Sequence, residues 1–259
     1  MKLSFSKYQG AGNDFIMLDN FDGNYDNLSI SDIQQACDRK FGIGADGLIL
    51  LQRHPELEFE VRYYNADGTQ SFCGNGARCA VAFAGKLGLL KAPQTRFLAI
   101  DGIHEAWLCE TEIKIKMADV HAVEQNAAAF ILNTGSPHYV ILDEDHSSEH
   151  VTTKGQQIRY SDTYKEQGIN VNLLKHTETG IQVATYERGV EAETLSCGTG
   201  VTAAALVYAQ LQKIKQGQVK VLTKGGELAV QWQANPDGSF SEIYLIGPAQ
   251  FVFSGIYEF

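Results

Sequence analysis

Cys73-Gly74-Asn75-Gly76 returns 124 residues later as Cys197-Gly198-Thr199-Gly200. Each copy opens an apolar run. From Gly74 to Gly85 only Arg78 is charged, and from Gly198 to Gln212 nothing is. Ala-rich runs of that length without proline read as helices buried on nearly all faces, each with a cysteine at its start. The glycines suit a tight turn into the helix and let a ligand approach bare backbone.

Other pieces repeat at nearly the same offset. Gly12-Asn13-Asp14-Phe15-Ile16-Met17-Leu18-Asp19 has an imperfect counterpart in Gly135-Ser136-Pro137-His138-Tyr139-Val140-Ile141-Leu142-Asp143, shifted by 123 at the glycine. Both are a glycine-rich polar turn followed by an apolar strand, and both lie upstream of a Cys-Gly-x-Gly helix start. Agreement of order and offset in two separate segments implies an internal duplication, with two similar halves expected to face each other across a cleft.

The bulk properties fit that reading. A chain of 259 residues with 44% hydrophobic content can bury a full core, and its length accommodates two domains of about 125 residues. A formal net charge of −10 and the lack of a basic stripe exclude a nucleic-acid partner. Met1 to Leu18 lacks the long apolar segment of a signal peptide, and no stretch suits a membrane span, so a cytoplasmic protein with no membrane partner is expected. The five cysteines, Cys37, Cys73, Cys79, Cys109 and Cys197, are odd in number and widely spaced, which argues against a disulfide framework. No close Cys or His pair has a second pair to complete a zinc site, and no metal is expected.

Along the chain, strands are expected at 3–5 and 15–18, then a helix from an N-cap at Ser31 to about Lys40, with Cys37 as buried filler. Gly42 to Gly47 reads as a tight loop into an apolar strand, Leu48–Leu51, and only faintly as a phosphate loop because no helix follows it. Strands follow at Glu58–Tyr64, Thr95–Ala99, Glu105–Leu108 and Glu112–Met117, with Cys109 structural at a strand end. The second half adds Ala129–Leu132, His138–Leu142, Ile181–Tyr186, Gln218–Leu222, Glu227–Trp232, Ser241–Ile246 and Gln250–Phe253. Residues 144–157 are the least structured stretch, expected to hold surface turns and a short helix. Many short strands around few helices do not have the periodicity of a doubly wound sheet.

A cysteine at a helix N-terminus favours its thiolate, because unpaired backbone N–H groups and the helix dipole stabilise negative charge. Two such cysteines bracketing one small anion could remove a proton from one face of a carbon and return one to the other. The amides of Gly74, Asn75, Gly198 and Thr199 could then hold its carboxylate. No lysine is singled out for a Schiff base, so pyridoxal phosphate is not implied and no cofactor is expected. His138 and Glu187 are candidates to set which cysteine is ionised, and Arg188 is suited to a two-pronged carboxylate contact.

GAGNDF at 10–15, FGIGADG at 41–47, YNADG at 64–68, CGNGARC at 73–79, GSPH at 135–138, GINVN at 168–172, ERG at 187–189 and SCGTG at 196–200 resemble the motifs of the diaminopimelate epimerase family, in that family's order and over essentially the full length. The wider group includes proline racemases and phenazine-biosynthesis isomerases. The resemblance implies an α+β fold of two pseudosymmetric domains, each a curved, mostly antiparallel sheet or barrel around a central buried helix. The domains would be residues 1–118 plus 248–259, bearing Cys73, and 119–247, bearing Cys197.

It also implies cofactor-independent epimerisation of LL- to meso-diaminopimelate in lysine and peptidoglycan precursor biosynthesis, with a homodimer. Cys73 and Cys197 match the acid and base. Asn13, Asn65, Ser136, Asn170 and Arg188, with Glu187 nearby, fall on positions for the substrate's distal amino-acid end, and the helix-start amides fall on those for the reacting carboxylate. Ser136 and Gly47 depart from the Asn and Gln common in the family, which bears on the substrate pocket and leaves the two-thiol chemistry untouched. A racemase for another amino acid, a thiol–disulfide protein, a cysteine hydrolase and a plain binding module are the alternatives. None of the last three explains the duplicated Cys-Gly-x-Gly helix start.

Overall fold

The computed structural model describes residues 1–259. The chain divides into two compact units, Met1–Ile115 with Gly247–Phe259, and Lys116–Ile246.

The first unit runs β1 (Lys2–Gly10), β2 (Asn13–Asp19), α1 (Ile30–Cys37), β3 (Gly47–Gln52), β4 (Phe59–Asn65), α2 (Gly74–Lys86), β5 (Gln94–Ala99), β6 (Gly102–Leu108) and β7 (Ile113–Lys116), and ends with the C-terminal strand β17 (Gln250–Glu258). β17 pairs antiparallel with β1 along nearly its whole length, Lys2 opposite Glu258 and Gln9 opposite Gln250. From β1 onward the pairings are β1·β2 antiparallel, β2·β3 parallel, β3·β4 antiparallel, β4·β5 parallel, then β5·β6 and β6·β7 antiparallel. A parallel neighbour cannot be reached by a hairpin and needs a crossover. The two parallel steps are where α1 and α2 lie.

The second unit repeats this. Its elements are β8 (Glu124–Asn126), β9 (Ala129–Asn133), β10 (Pro137–Leu142), α3 (Ser148–Arg159), β11 (Asn170–Thr177), β12 (Gly180–Glu187), β13 (Ala192–Thr194), α4 (Gly198–Leu211), β14 (Gln216–Thr223), β15 (Gly226–Ala234) and β16 (Phe240–Gly247). β9·β10 is antiparallel, β10·β11 parallel, β11·β12 antiparallel, β12·β14 parallel, β14·β15 and β15·β16 antiparallel, with α3 and α4 in the two crossovers. The series matches the first unit step for step, so the duplication read from two short segments extends to the whole topology. The fold is α+β, two similar halves of mostly antiparallel sheet, each around a buried helix.

Strand alternation sorts the first unit's side chains between its two helices. Phe15, Met17, Ile49 and Leu51 pack with α2 residues Ala77, Cys79, Ala80 and Phe83. Their neighbours Ile16, Leu18, Leu48 and Leu50 pack with α1 residues Ile33, Ala36 and Cys37. Strands covered on both faces read as continuous apolar runs, as in Leu48–Leu51. In the second unit α3 buries Val151 against Val171, Leu173 and Tyr186, and α4 is buried from Gly200 through Val207.

Some local expectations are corrected. The N-cap of α1 is Ser29, not Ser31, and the helix stops at Cys37. Asp32, three residues after Ser29, completes a capping box with it that starts the helix two residues earlier. The stretch 144–157 contains most of the twelve-residue helix α3, hard to read because its two buried positions are Val151 and a glycine, Gly155, whose bare backbone lies against the Tyr186 ring. β11 was expected only as a motif, and the short strands β8 and β13 not at all. Cys109 is exposed just past β6.

Candidate active site

In the first unit Cys73 is the N-cap of α2, with extended backbone (φ −130°, ψ 113°), and its Sγ accepts from the Gly76 N–H at 3.5 Å. The first amides of a helix lack acceptors four residues back, so Sγ lies in the positive end of the helix. Gly76 is closely packed. A Cβ there would stand 3.1 Å from Ile49 Cδ1 and 3.4 Å from Phe15 Cε1.

Beside this helix start runs a chain of polar side chains. Arg78 Nη2 donates to Asn75 Oδ1 (2.7 Å), Asn75 Nδ2 to Asn13 Oδ1 (2.6 Å), and Asn13 Nδ2 to Asp46 Oδ2 (2.9 Å). Asp46 also accepts from Arg39 (2.7 Å), which grips Asp14 with both terminal nitrogens. Burial pushes the Asp14 carboxyl up, but hydrogen bonds and charge from Arg39 and Lys7 outweigh it and hold the group at about 2. Asn65 is not part of this chain, because its amide donates into its own turn, to Thr69 and Ser71. Gly47 has a spatial reason: a Cβ there would meet the Tyr63 ring at 2.4 Å and the Tyr64 carbonyl at 2.5 Å. The aromatic ring thus fills the space beside Gly47.

In the second unit Cys197 caps α4 with nearly the same backbone (φ −114°, ψ 109°). Its Sγ lies 3.4 Å from Thr199 Oγ1, and it hydrogen-bonds the Glu187 carboxyl at the end of β12. Burial raises the pKa of Glu187, while the neighbouring Thr194 and Cys197 act the other way. Thr134 Oγ1 donates to the Thr199 carbonyl (2.8 Å), tying the turn before β10 to the first turn of α4.

His138 is fully buried on β10. Its Nδ1 accepts from Asn172 Nδ2 at 3.0 Å, and Thr185 donates to Asn172 Oδ1 (3.0 Å), so the ring proton sits on Nε2. Burial, aided by the charge of Arg188, drives the imidazole down to about 3. His138 is therefore a neutral ring near pH 7, suited to donating a hydrogen bond and not to exchanging protons. Ser136, Asn170 and Arg188 converge. Ser136 Oγ accepts from Asn170 Nδ2 (2.9 Å) and Arg188 Nη2 (3.2 Å), and Asn170 Oδ1 accepts from the Arg188 backbone N–H (2.9 Å).

The other buried thiols stand apart from this chemistry. Burial raises Cys37 to about 11 and Cys79 to about 12, which keeps both protonated.

Comparison with known proteins fits this arrangement. The family model described as diaminopimelate epimerase matches residues 5–123 and 130–252, one match on each half of the duplication. The chain belongs to the diaminopimelate epimerase family. It is 47% identical to the diaminopimelate epimerase of Flavobacterium psychrophilum over 251 residues, covering 95% of this chain and 97% of that one. It is 40% identical to the enzyme of Chlorobaculum tepidum over 256 residues, covering 95% and 98%. Among solved structures, a phenazine biosynthesis protein of the PhzF family from Bacillus anthracis has the same fold, with a TM-score of 0.74 at 13% identity and full coverage of both chains. A hydroxyproline epimerase from Agrobacterium vitis also shares it, with a TM-score of 0.67 at 12% identity and coverage of 99% and 91%.

Membership of the diaminopimelate epimerase family leaves several local partners that motif reading did not single out: Asp46, Arg78, Thr134, Asn172, Thr185 and Tyr63. Asp46, Arg78 and Asn172 lie inside quoted motifs, and spacing signals one of them, since Asn75 and Arg78 are three apart and share a helix face. Nothing in the sequence marks the others.

Proposed function

We propose that this chain converts LL-2,6-diaminopimelate to the meso isomer by 1,1-proton transfer at one α-carbon, without a cofactor, in lysine and peptidoglycan precursor biosynthesis. Cys73 and Cys197 are the exchanging acid and base. The observation that carries this reading is the placing of two cysteines, with near-identical backbone geometry, as N-caps of the equivalent buried helices in the two halves of a duplicated fold.

One thiolate takes the α-hydrogen as a proton. The C–H electron pair moves into the carboxylate as an enolate-like dianion, and the opposite thiol supplies a proton to the other face, inverting the centre. An α-proton is far less acidic than a thiol, so the developing charge needs hydrogen-bond donors held in a dry site. The helix-start amides of Gly74, Asn75, Gly198 and Thr199 are suited to that task. Glu187, bonded to Cys197, biases that cysteine's proton, and neutral His138 is a support in place of a proton carrier. Asn13, Asn65, Asn170, Arg188 and Ser136 are assigned to the distal amino-acid end. Ser136 accepts hydrogen bonds from both Asn170 and Arg188, so serine at this position keeps a polar link to them.

No helix is long and apolar enough to cross a membrane, and the pathway reading places the enzyme in the cytoplasm. Phe251, Val252, Phe253 and Ile256 are exposed on the two faces of β17, apolar area whose burial would favour a homodimer.

The test is proton NMR of reduced enzyme with LL-diaminopimelate in deuterated water and no added cofactor. Deuterium at one α-position together with the meso isomer is expected. Cys73→Ala and Cys197→Ala should each lose net epimerisation by at least about 100-fold. Absence of exchange in the wild type, or near-native turnover in either variant, overturns the proposal.

A further inference from the structure

Arg78 is fully buried on α2, yet it has no carboxylate partner. Its Nη2 donates to Asn75 Oδ1 at 2.7 Å and its Nε to the Pro248 carbonyl at 3.4 Å, while Nη1 is buried with no acceptor. Holding a guanidinium away from water without a counter-charge is costly. An unbranched apolar side chain would fill much of the same volume without that cost, so packing does not account for an arginine.

The polarity of its contacts does. A guanidinium only donates and a carboxylate only accepts. With Arg78 donating to Asn75 Oδ1, the Asn75 amide nitrogen must face the other way, and it donates to Asn13 Oδ1 at 2.6 Å. That in turn sends the Asn13 nitrogen to Asp46 Oδ2 at 2.9 Å. Asp46 is held by Arg39 at 2.7 Å and by the Asp14 N–H at 3.2 Å. An asparagine amide is nearly symmetric in shape, and only its hydrogen-bond partners decide which end is oxygen. Turning over Asn75 would set its NH2 against the guanidinium, and turning over Asn13 would set its oxygen against the Asp46 carboxylate.

We propose that Arg78 and Asp46 are positioning residues that fix, from opposite ends, the orientation of the Asn75 and Asn13 amides, so that the substrate meets one unchanging pattern of donors and acceptors. This rests on the assignment of Asn13 to substrate binding, with the Asn75 side chain as the link between it and Arg78. Neither Arg78 nor Asp46 touches substrate in this scheme, and each acts through the amides between them. Preorganised donors cost no rearrangement when charge develops, so the relay favours the transition state as well as binding.

The test is a double-mutant cycle of Arg78→Met and Asp46→Asn, with Arg78→Lys as the conservative variant, on enzyme whose circular dichroism and thermal transition show it folded. With diaminopimelate, each single change should lower kcat/KM at least tenfold with a rise in KM, and Arg78→Lys should recover part of the loss. The double variant should be little worse than the poorer single one, because both break the same relay. If Arg78→Met does not fold, the cycle is run with Arg78→Lys in its place. A readout that needs no turnover is the side-chain amide 15N–1H spectrum. Asn13 and Asn75 should each give one sharp NH2 pair in the wild type, and shifted or doubled pairs in Asp46→Asn. Folded variants with native kinetics, strictly additive losses, or amide resonances unmoved in Asp46→Asn overturn the proposal. Failure of wild-type turnover, with the Asn13 and Asn75 resonances nevertheless moved in Asp46→Asn, overturns the assigned reaction and leaves the relay standing.

Discussion

Gly200 shows how tightly the second helix start is held. A Cβ at that position would lie 2.3 Å from Asn172 Oδ1 and 3.1 Å from Thr185 Oγ1, the two groups that orient His138. Gly200→Ala must push Asn172 off its bond to His138 or lift α4 from the sheet. We expect a loss of about 1–3 kcal/mol from overpacking, seen as a lower melting temperature. Turnover should fall further than the lost stability explains, because Asn172 orients the buried His138 ring. A variant as stable and active as the wild type would show that this close approach carries no constraint. At the first helix start Gly76 meets the side-chain ends of Ile49 and Phe15 at 3.1 and 3.4 Å. Flexible side-chain ends yield more readily than a polar network, so Gly76→Ala should cost less than Gly200→Ala.

The helices hold their places for different reasons. α2 and α4 are buried on nearly all sides and carry their cysteines at the N-cap; Cys73 Sγ takes the place of the usual capping oxygen, whereas the Cys197 side chain makes no cap bond. α1 is a surface helix of eight residues that buries Ile33, Ala36 and Cys37, and its start depends on the reciprocal bonds of Ser29 and Asp32. So short a helix is marginal without its cap. Ser29→Ala should lower the stability of the first unit by about 1 kcal/mol. This would be read as a lower urea midpoint at unchanged slope. An unchanged midpoint would mean that the apolar face alone holds α1.

Acid stability should be governed by different groups in the two halves. In the second unit the folded-state pKa of His138 lies near 3, below its ordinary 6.5. Between those values the unfolded chain binds a proton that the folded one refuses, so stability falls as pH drops below about 6.5, and this loss levels off near 3. In the first unit Asp14 is held at about 2 against its ordinary 3.8. Its contribution is present above 3.8 and is lost as pH falls through 2. Urea unfolding at pH 7.5, 6, 5 and 4 should therefore show decline beginning near 6.5, and His138→Gln should flatten the slope over that window. An equal slope in the variant would remove His138 as the cause.

The paired Cys-Gly-x-Gly starts, the buried helices and the many short strands were legible because they depend on local composition and period, which the chain carries residue by residue, whereas the α+β class came with the family resemblance. Two repeated segments at offsets of 123 and 124 sufficed to announce the duplication. The tertiary structure alone decided that α1 and α3 serve parallel crossovers at matching steps. It alone brought Ser136 under Asn170 and Arg188, and set Glu187 on Cys197. It also made His138 a neutral donor, since a histidine's charge depends on burial that no local pattern records. The relay from Arg78 to Asp46 joins residues from three separate motifs. Each motif could be read by itself, but the orientation of an amide is settled only when its partners from distant parts of the chain are packed against it.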